Sequence, residues 1–245
     1  MIDTHAHIYS EYYDIDDLIK KLKSNSIIKV INNSTNNEDM LEVIELSKKY
    51  RNFLLPSIGI HPEFVNNYDL NKMETIIKNN KVYAIGEIGL DYYWVKDNKE
   101  EQKNLFISQI KLANKYNLPV IIHSRDSIQD CLNIIKENRC RGIIHCFSGS
   151  YEMAKEFIKY GFKLGIGGVL TFKNSKLSEV IKKIDLKDIV LETDSPYLTP
   201  EPYRGKTNDP SNVYYVAKKI SEIKEIDIEK VIKQTTQNAI DIFDI

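Results

Sequence analysis

Pro119-Val120-Ile121-Ile122-His123 is a short β-branched run that ends on a histidine, and a few residues later an amphipathic stretch runs from Ser127 to Glu137. A strand followed so closely by a helix is one βα unit of a parallel sheet. The same unit recurs on both sides of it. Toward the N-terminus the sequence predicts strands at Ile2 to His5, Ile27 to Ile31, Phe53 to Ile60 and Val82 to Ile88. Toward the C-terminus it predicts them at Gly142 to Cys146, Phe162 to Ile166 and Asp188 to Thr193. Helices are expected in between, at Ile15 to Lys23, Glu38 to Lys49, Asp69 to Asn79, Lys99 to Tyr116, Tyr151 to Lys159 and Ser175 to Lys183. Two more, Val213 to Ile223 and Ile228 to Phe243, follow the last strand. Asp69 and Ser150 offer side-chain acceptors to the free amides of helix starts. Eight such units in 245 residues predict an α/β fold of the (β/α)₈, or TIM, barrel type, as one domain over residues 1–245. No G-x-G-x-x-G follows the first strand, which argues against a dinucleotide-binding sheet.

Composition narrows the function classes. With 42% hydrophobic and 28% charged residues the chain is expected to be globular rather than disordered. Its 34 basic and 35 acidic residues leave a net charge of -1, which disfavours a protein that grips nucleic acid by neutralising many phosphates. An enzyme that meets phosphate with metal ions stays open. The three cysteines, Cys131, Cys140 and Cys146, form no C-x-x-C and are odd in number, so reduced thiols in the cytoplasm are expected. No apolar run approaches the roughly 20 residues of a membrane span, and no signal peptide is read at the start. The stretch from Ser195 to Pro210 holds four of the seven prolines and is the longest irregular one. After the last strand of a barrel, such a loop borders the active face.

All five histidines, His5, His7, His61, His123 and His145, fall at ends of predicted strands. The C-terminal ends of parallel barrel strands share one rim, so these imidazoles converge although they lie up to 140 residues apart. His5 and His7, one residue apart on a strand, project from the same face; Asp3 shares their parity and is expected to orient an imidazole or cap the strand. Glu87 sits among glycines at another strand end, and Glu192 and Asp194 share parity after Val190-Leu191. His5, His7, Glu87, His123, His145 and Asp194 thus make one expected site of four imidazoles and two carboxylates. That is too many donors for one tetrahedral ion, and it suggests two metals with a shared carboxylate.

Seven stretches carry a family resemblance. Asp3-Thr4-His5-Ala6-His7, Ser57-Ile58-Gly59-Ile60-His61-Pro62, Gly86-Glu87-Ile88-Gly89-Leu90-Asp91-Tyr92 and His123-Ser124-Arg125-Asp126 resemble successive signatures of the TatD family. So do His145-Cys146-Phe147-Ser148-Gly149, Glu192-Thr193-Asp194-Ser195-Pro196-Tyr197-Leu198 and Pro202-Tyr203-Arg204-Gly205-Lys206, all in the family's order. The resemblance implies a metal-dependent hydrolase barrel and nuclease activity on DNA, commonly 3′ to 5′ exonucleolytic on single strands or 3′ ends. It also implies two divalent metals, Mg, Mn or Zn: His5, His7 and Asp194 would hold one, His123 and His145 the other, with Glu87 bridging. Ala6 stands where many relatives have Cys, and by parity it points away from the site. Thr207 interrupts the usual basic stretch after Lys206.

Four imidazoles favour Zn, Mn, Co or Fe over Mg. His61, Arg125 and Arg204 are candidate substrate contacts, since a guanidinium pairs bidentately with phosphate oxygens. Tyr92, Tyr93 and Trp94 are candidates to stack a base or to pack the loop. Cys146, of opposite parity to His145, is expected in the core. The expected reaction is metal-assisted phosphodiester hydrolysis, with Glu87 and Asp194 as catalytic carboxylates and Asp194 accepting or relaying the water's proton. The same donor set suits amide or ester hydrolysis, including deacylation of aminoacyl-tRNA. A non-catalytic binding barrel would be expected to have lost a ligand, and all six are present. DNA is the expected partner, with no membrane and no obligate protein partner.

Overall fold

Parallel strands covered on both faces need apolar residues at nearly every position, so they read as continuous runs rather than alternations. The computed structural model, which describes residues 1–94 and 97–245, places a strand on each of the eight expected runs. They are β1 (Ile2–Ala6), β2 (Lys29–Asn33), β3 (Leu54–Ser57), β4 (Ile85–Asp91), β5 (Val120–Arg125), β6 (Gly142–Ile144), β7 (Lys163–Ile166) and β8 (Ile189–Leu191). The intervening helices are α1 (Ile15–Ser24), α2 (Asp39–Lys49), α3 (Leu70–Asn79), α4 (Lys99–Lys115), α5 (Ile128–Glu137), α6 (Tyr151–Lys159) and α7 (Leu177–Lys183). Helices α8 (Val213–Lys224) and α9 (Ile228–Phe243) follow β8. Asp69 and Ser150 cap α3 and α6, accepting from Asn71 and Lys72 amides and from the Met153 amide.

All ladders are parallel, and they run in two arcs, β1-β2-β3 and β4 to β8. Backbone bridges close the seams between the arcs into a barrel. Ser57 pairs with Ala84 at one seam; at the other Ala6 pairs with Ser195 and the His7 amide donates to the Ser195 carbonyl at 2.7 Å. Ile2, Ile31, Leu55, Ala84, Ile121, Ile143 and Val190 fill the barrel's lower interior, and Ala239, Ile242 and Phe243 of α9 plug it from below. The outward residues, such as Val30, Ile85, Ile88, Val120, Ile122 and Leu164, pack under the helices. The bottom of the barrel is therefore apolar and sealed, which leaves polar side chains to the upper rim.

Three strands stop earlier than expected, and in each case a side chain takes over a backbone amide. β3 ends at Ser57 because Gln109 of α4 accepts from the Ile60 amide at 2.8 Å and donates to its carbonyl at 3.0 Å. β6 ends at Ile144 because Glu192 Oε1 captures the Cys146 amide at 2.7 Å. β8 ends at Leu191, where Asp3 Oδ1 accepts from the Thr193 amide at 3.0 Å.

Candidate metal centre

Two of the strands that supply donors are bulged just below them. In β1 the register to β2 slips between Asp3 and Ala6, and in β4 the register to β5 slips between Ile85 and Ile88. Ile2 lies in the barrel interior and Asp3 is turned out of it; after the slip His5 points in and Ala6 packs outward. Ala84 is interior and Ile85 outward, and Glu87 is delivered inward by the second slip. An extra residue that re-aims a side chain is a common use of a bulge beside an active site. Gly89 makes this strand possible, because a Cβ there would overlap the His123 carbonyl and its φ is 144°.

The six expected side chains come together. His5 Nε2 and His7 Nε2 lie 3.1 Å apart, and Glu87 Oε2 stands 3.4 Å from each. Asp194 Oδ1 lies 3.5 and 3.6 Å from the same two nitrogens. Glu87 turns its other oxygen, Oε1, to His123 Nδ1 at 2.8 Å and to His145 Nε2 at 3.6 Å. The His5 and His145 rings stack at 3.6 Å between centroids. Asp194 and Cys146 both hold left-handed backbones, φ 56° and 45°, a strained conformation typical of functional sites.

Electrostatics follow from crowding carboxylates and imidazoles in a buried space. Burial pushes the Glu87 carboxyl up, but the His5 and His145 charges outweigh it and hold the group well below the usual carboxylate range. Burial likewise opposes protonation of His7, yet hydrogen bonds to Asp194 and Glu87 raise it to about 10. His145 is raised to about 10 against its burial by the charges of Glu192 and Glu87, and His123 to about 9 by Asp91 and Glu87. His5 is lowered, by burial first and then by His145.

Two carboxylates behind the imidazoles were not singled out as site residues by the sequence. Asp91 Oδ2 contacts His123 Nε2 at 3.0 Å, and Glu192 Oε1 lies 2.9 Å from His145 Nδ1. Gly165 leaves the room that Glu192 occupies, since a Cβ there would overlap its Oε2. Both acids stand at strand ends near a donor on an adjacent strand, and that placement was the available signal. A carboxylate behind a ligating imidazole fixes the ring and raises its basicity.

Asp3 does not orient an imidazole. The bulge separates it from His5, and its carboxylate accepts instead from the His5 amide at 3.2 Å, the Thr193 amide at 3.0 Å and the Thr193 hydroxyl at 2.5 Å. It therefore clamps the seam between β1 and the residues after β8, next to Asp194. Asp3→Ala is expected to cost roughly 2–4 kcal/mol in urea unfolding, because buried donors lose their acceptor. A loss under about 0.5 kcal/mol, the size of an ordinary surface change, would show that the seam does not depend on it.

Other expected residues are distributed unevenly. His61 lies past the end of β3, caps a 3-10 turn through the Glu63 amide, and brings Nε2 to 3.8 Å from Glu87 Oε1. Its donor atom groups with those of Glu87 and His123 within 4.8 Å, so it is placed as a further donor as much as a substrate contact. Arg125 ends β5 on the cleft wall with its guanidinium 4.0 Å from the Tyr93 ring centroid. Arg204 is not brought to that wall: it stacks 3.9 Å over Phe172 and donates to the Thr199 carbonyl. Tyr92 is buried and hydrogen-bonded to Asp130, whereas Tyr93 and Trp94 are exposed beside Arg125. Cys146 is not core. Its left-handed backbone breaks the strand parity, and its half-buried side chain lines the cleft.

The donor set fits a cation. Four donor atoms, two imidazole nitrogens and two carboxylate oxygens, converge around the space between His5, His7, Glu87 and Asp194, the mixed nitrogen and oxygen set that a divalent cation takes. A family model described as TatD related DNase matches residues 2–244. The chain is 41% identical over 252 residues to the metal-dependent hydrolase YabD of Bacillus subtilis, covering 99% of this chain and 98% of that one. It is 32% identical over 261 residues to the human protein named deoxyribonuclease TATDN3, covering 99% of this chain and 94% of that one. The solved structure of YJJV, a TatD homolog from Escherichia coli K12, superposes with a TM-score of 0.93 at 29% identity, over 100% of this chain and 98% of that one. A match that runs from the first strand to the plugging helix, with no domain of the relatives left over, makes this chain a member of the TatD family of metal-dependent hydrolases.

Proposed function

We propose that this chain hydrolyses phosphodiester bonds of DNA, shortening single strands from the 3′ end, with two divalent metal ions. His5, His7 and Asp194 would hold one ion, His123 and His145 the other, and Glu87 both. One observation carries the reading: the two oxygens of Glu87 are divided, Oε2 toward His5 and His7 and Oε1 toward His123 and His145. A carboxylate that presents one oxygen to each group of imidazoles could be shared between two cations. Divalent ions bound in such a set lower the pKa of a coordinated water and neutralise phosphoryl oxygens.

The chain's own residues divide the remaining work. The Glu87 side chain is 5% exposed and that of Asp194 15%, so water and substrate reach Asp194 more readily. Asp194 is accordingly assigned the water's proton. Arg125, its guanidinium 4.0 Å from the Tyr93 ring centroid, has no ion pair among the described residues and is assigned a phosphate oxygen. The name of the human relative supports DNA as the substrate.

Metal-stripped protein given 5′-labelled single-stranded DNA is expected to be inactive and to regain activity with Mg, Mn or Zn, yielding a ladder that shortens from the 3′ end. Full activity after stripping would overturn the metal reading. Cleavage confined to amide or aminoacyl ester substrates would overturn the nuclease reading.

A further inference from the structure

The cleft above the donor set has a volume of about 810 Å³, and its walls are charged unevenly. On the arc from the end of β1 to the turn after β3 it is lined by Glu11, Asp39, Glu42 and Glu63, and Arg125 on β5 is the single lysine or arginine among the described lining residues. The acidic arc also carries an aromatic wall that begins at the metal centre. Tyr197 is tied to Asp194 by its amide, which donates to the Asp194 carbonyl at 2.8 Å, and its ring centroid lies 6.2 Å from that of His7. Tyr12 reaches across from the loop after β1, and the two hydroxyls meet at 3.3 Å. Their ring planes cross at 70° with centroids 6.4 Å apart, and the residues are 38% and 52% exposed.

We propose that this arc is the subsite for the terminal nucleoside: the corner of Tyr12 and Tyr197 receives the base, and the carboxylates beside it accept from the terminal hydroxyl and refuse a terminal phosphate. The proposal rests on the DNA reading above and deepens it. Two exposed rings beside a reacting carboxylate give a base a face and an edge to stack on, and such stacking tolerates any base. Two of the carboxylates, Asp39 and Glu42, are fixed in place. Asp39 accepts from the Thr35 amide at 2.9 Å and the Tyr9 hydroxyl at 3.2 Å, and Glu42 accepts from the Ser10 amide at 2.7 Å. Immobile negative charge repels phosphate but offers a hydroxyl an acceptor, so the arc discriminates by what it rejects. Every internal nucleoside of a strand is flanked by two phosphates; a terminal one with a free hydroxyl has only the scissile one. The rest of the strand is then directed over the opposite wall, past Arg125, and attack is confined to the end.

The test uses two 5′-labelled single-stranded oligonucleotides, identical except that one ends in a 3′-hydroxyl and the other in a 3′-phosphate. Metal-loaded protein is expected to remove the last nucleotide of the phosphate-ended strand at least about tenfold more slowly, the effect of one unfavourable charge contact. Glu11→Gln combined with Glu42→Gln is expected to bring the ratio toward one. Tyr12→Ala is expected to raise KM for the hydroxyl-ended strand about tenfold while kcat moves far less, the pattern of lost ground-state stacking. A measurement on the unaltered protein stands beside these variants: a deoxynucleoside 5′-monophosphate should inhibit at least about tenfold better than the 3′,5′-bisphosphate. Equal rates at both ends, equal inhibition by the two nucleotides, or a ratio unmoved in the double variant overturns the subsite while the nuclease reading stands. Failure to cleave either strand overturns the nuclease reading, and the subsite with it.

Discussion

On the proposed two-metal reading, Glu87→Gln is expected to abolish hydrolysis and to empty both proposed metal positions together while the barrel stays folded. The amide has the volume of the carboxylate, so packing around a side chain 5% exposed is little changed. What is lost is the negative charge that His5, His7, His123 and His145 all face. One of the two carboxylate oxygens also becomes an NH₂ group, which has no lone pair to offer a cation. Glu87 helps to raise His7, His123 and His145 to about 10, 9 and 10 against their burial, so its charge favours positive charge throughout the centre, and the amide removes that field. The rate loss should exceed the ~10–100-fold that removal of an outer carboxylate costs, because a direct donor is being removed. Elemental analysis for metal, initial rates on single-stranded DNA and circular dichroism are the measurements. Two metals and a near-normal rate in this variant would mean that Glu87 is not shared.

The barrel was legible because its strands are buried on both faces, so a run such as Val120-Ile121-Ile122 announces itself without reference to neighbours. The convergence of histidines was legible for a related reason: parallel strands put all their C-terminal ends on one rim. Parity within a strand was a poorer guide. It served His5 and His7, but it grouped Asp3 with them, and the slip between Asp3 and Ala6 reverses the faces. Nothing in a single sequence marks where a ladder slips. Past a strand end parity has no meaning, and there Cys146 turns left-handed into the cleft rather than into the core.

Interactions that depend on the closed barrel were the least legible. Glu192 reaches His145 from β8 to β6 only because the intervening β7 has Gly165 at that level. Asp3 clamps Thr193 across the seam where the first and last strands meet. Arg204 illustrates the converse, since the proline-rich loop folds it onto Phe172 and away from the wall its motif suggested. Each case turns on which strands and loops become neighbours, a property of closure that spacing along the chain does not record.

Asp194→Asn is expected to separate the two carboxylates of the centre by function. Asparagine suits this position better than alanine, because the backbone is left-handed at φ 56° and Asn tolerates that region. The Asp194 amide still donates to the His5 carbonyl, so the seam survives the change. The contacts of Asp194 Oδ1 lie mainly on one side, at 3.5 and 3.6 Å from His5 and His7, against 3.9 Å from His145. Metal held by His123, His145 and Glu87 should therefore stay, while occupancy at His5 and His7 falls. The rate should drop on the order of 10²–10⁴-fold from loss of a positioned base alone, with the altered donor adding to it. Metal content per chain near half that of the unaltered protein, together with that collapse in rate, is the expected pair of results. Loss of both ions would make Asp194 the shared ligand in place of Glu87, and an undiminished rate would mean that the proton of the attacking water goes to another group.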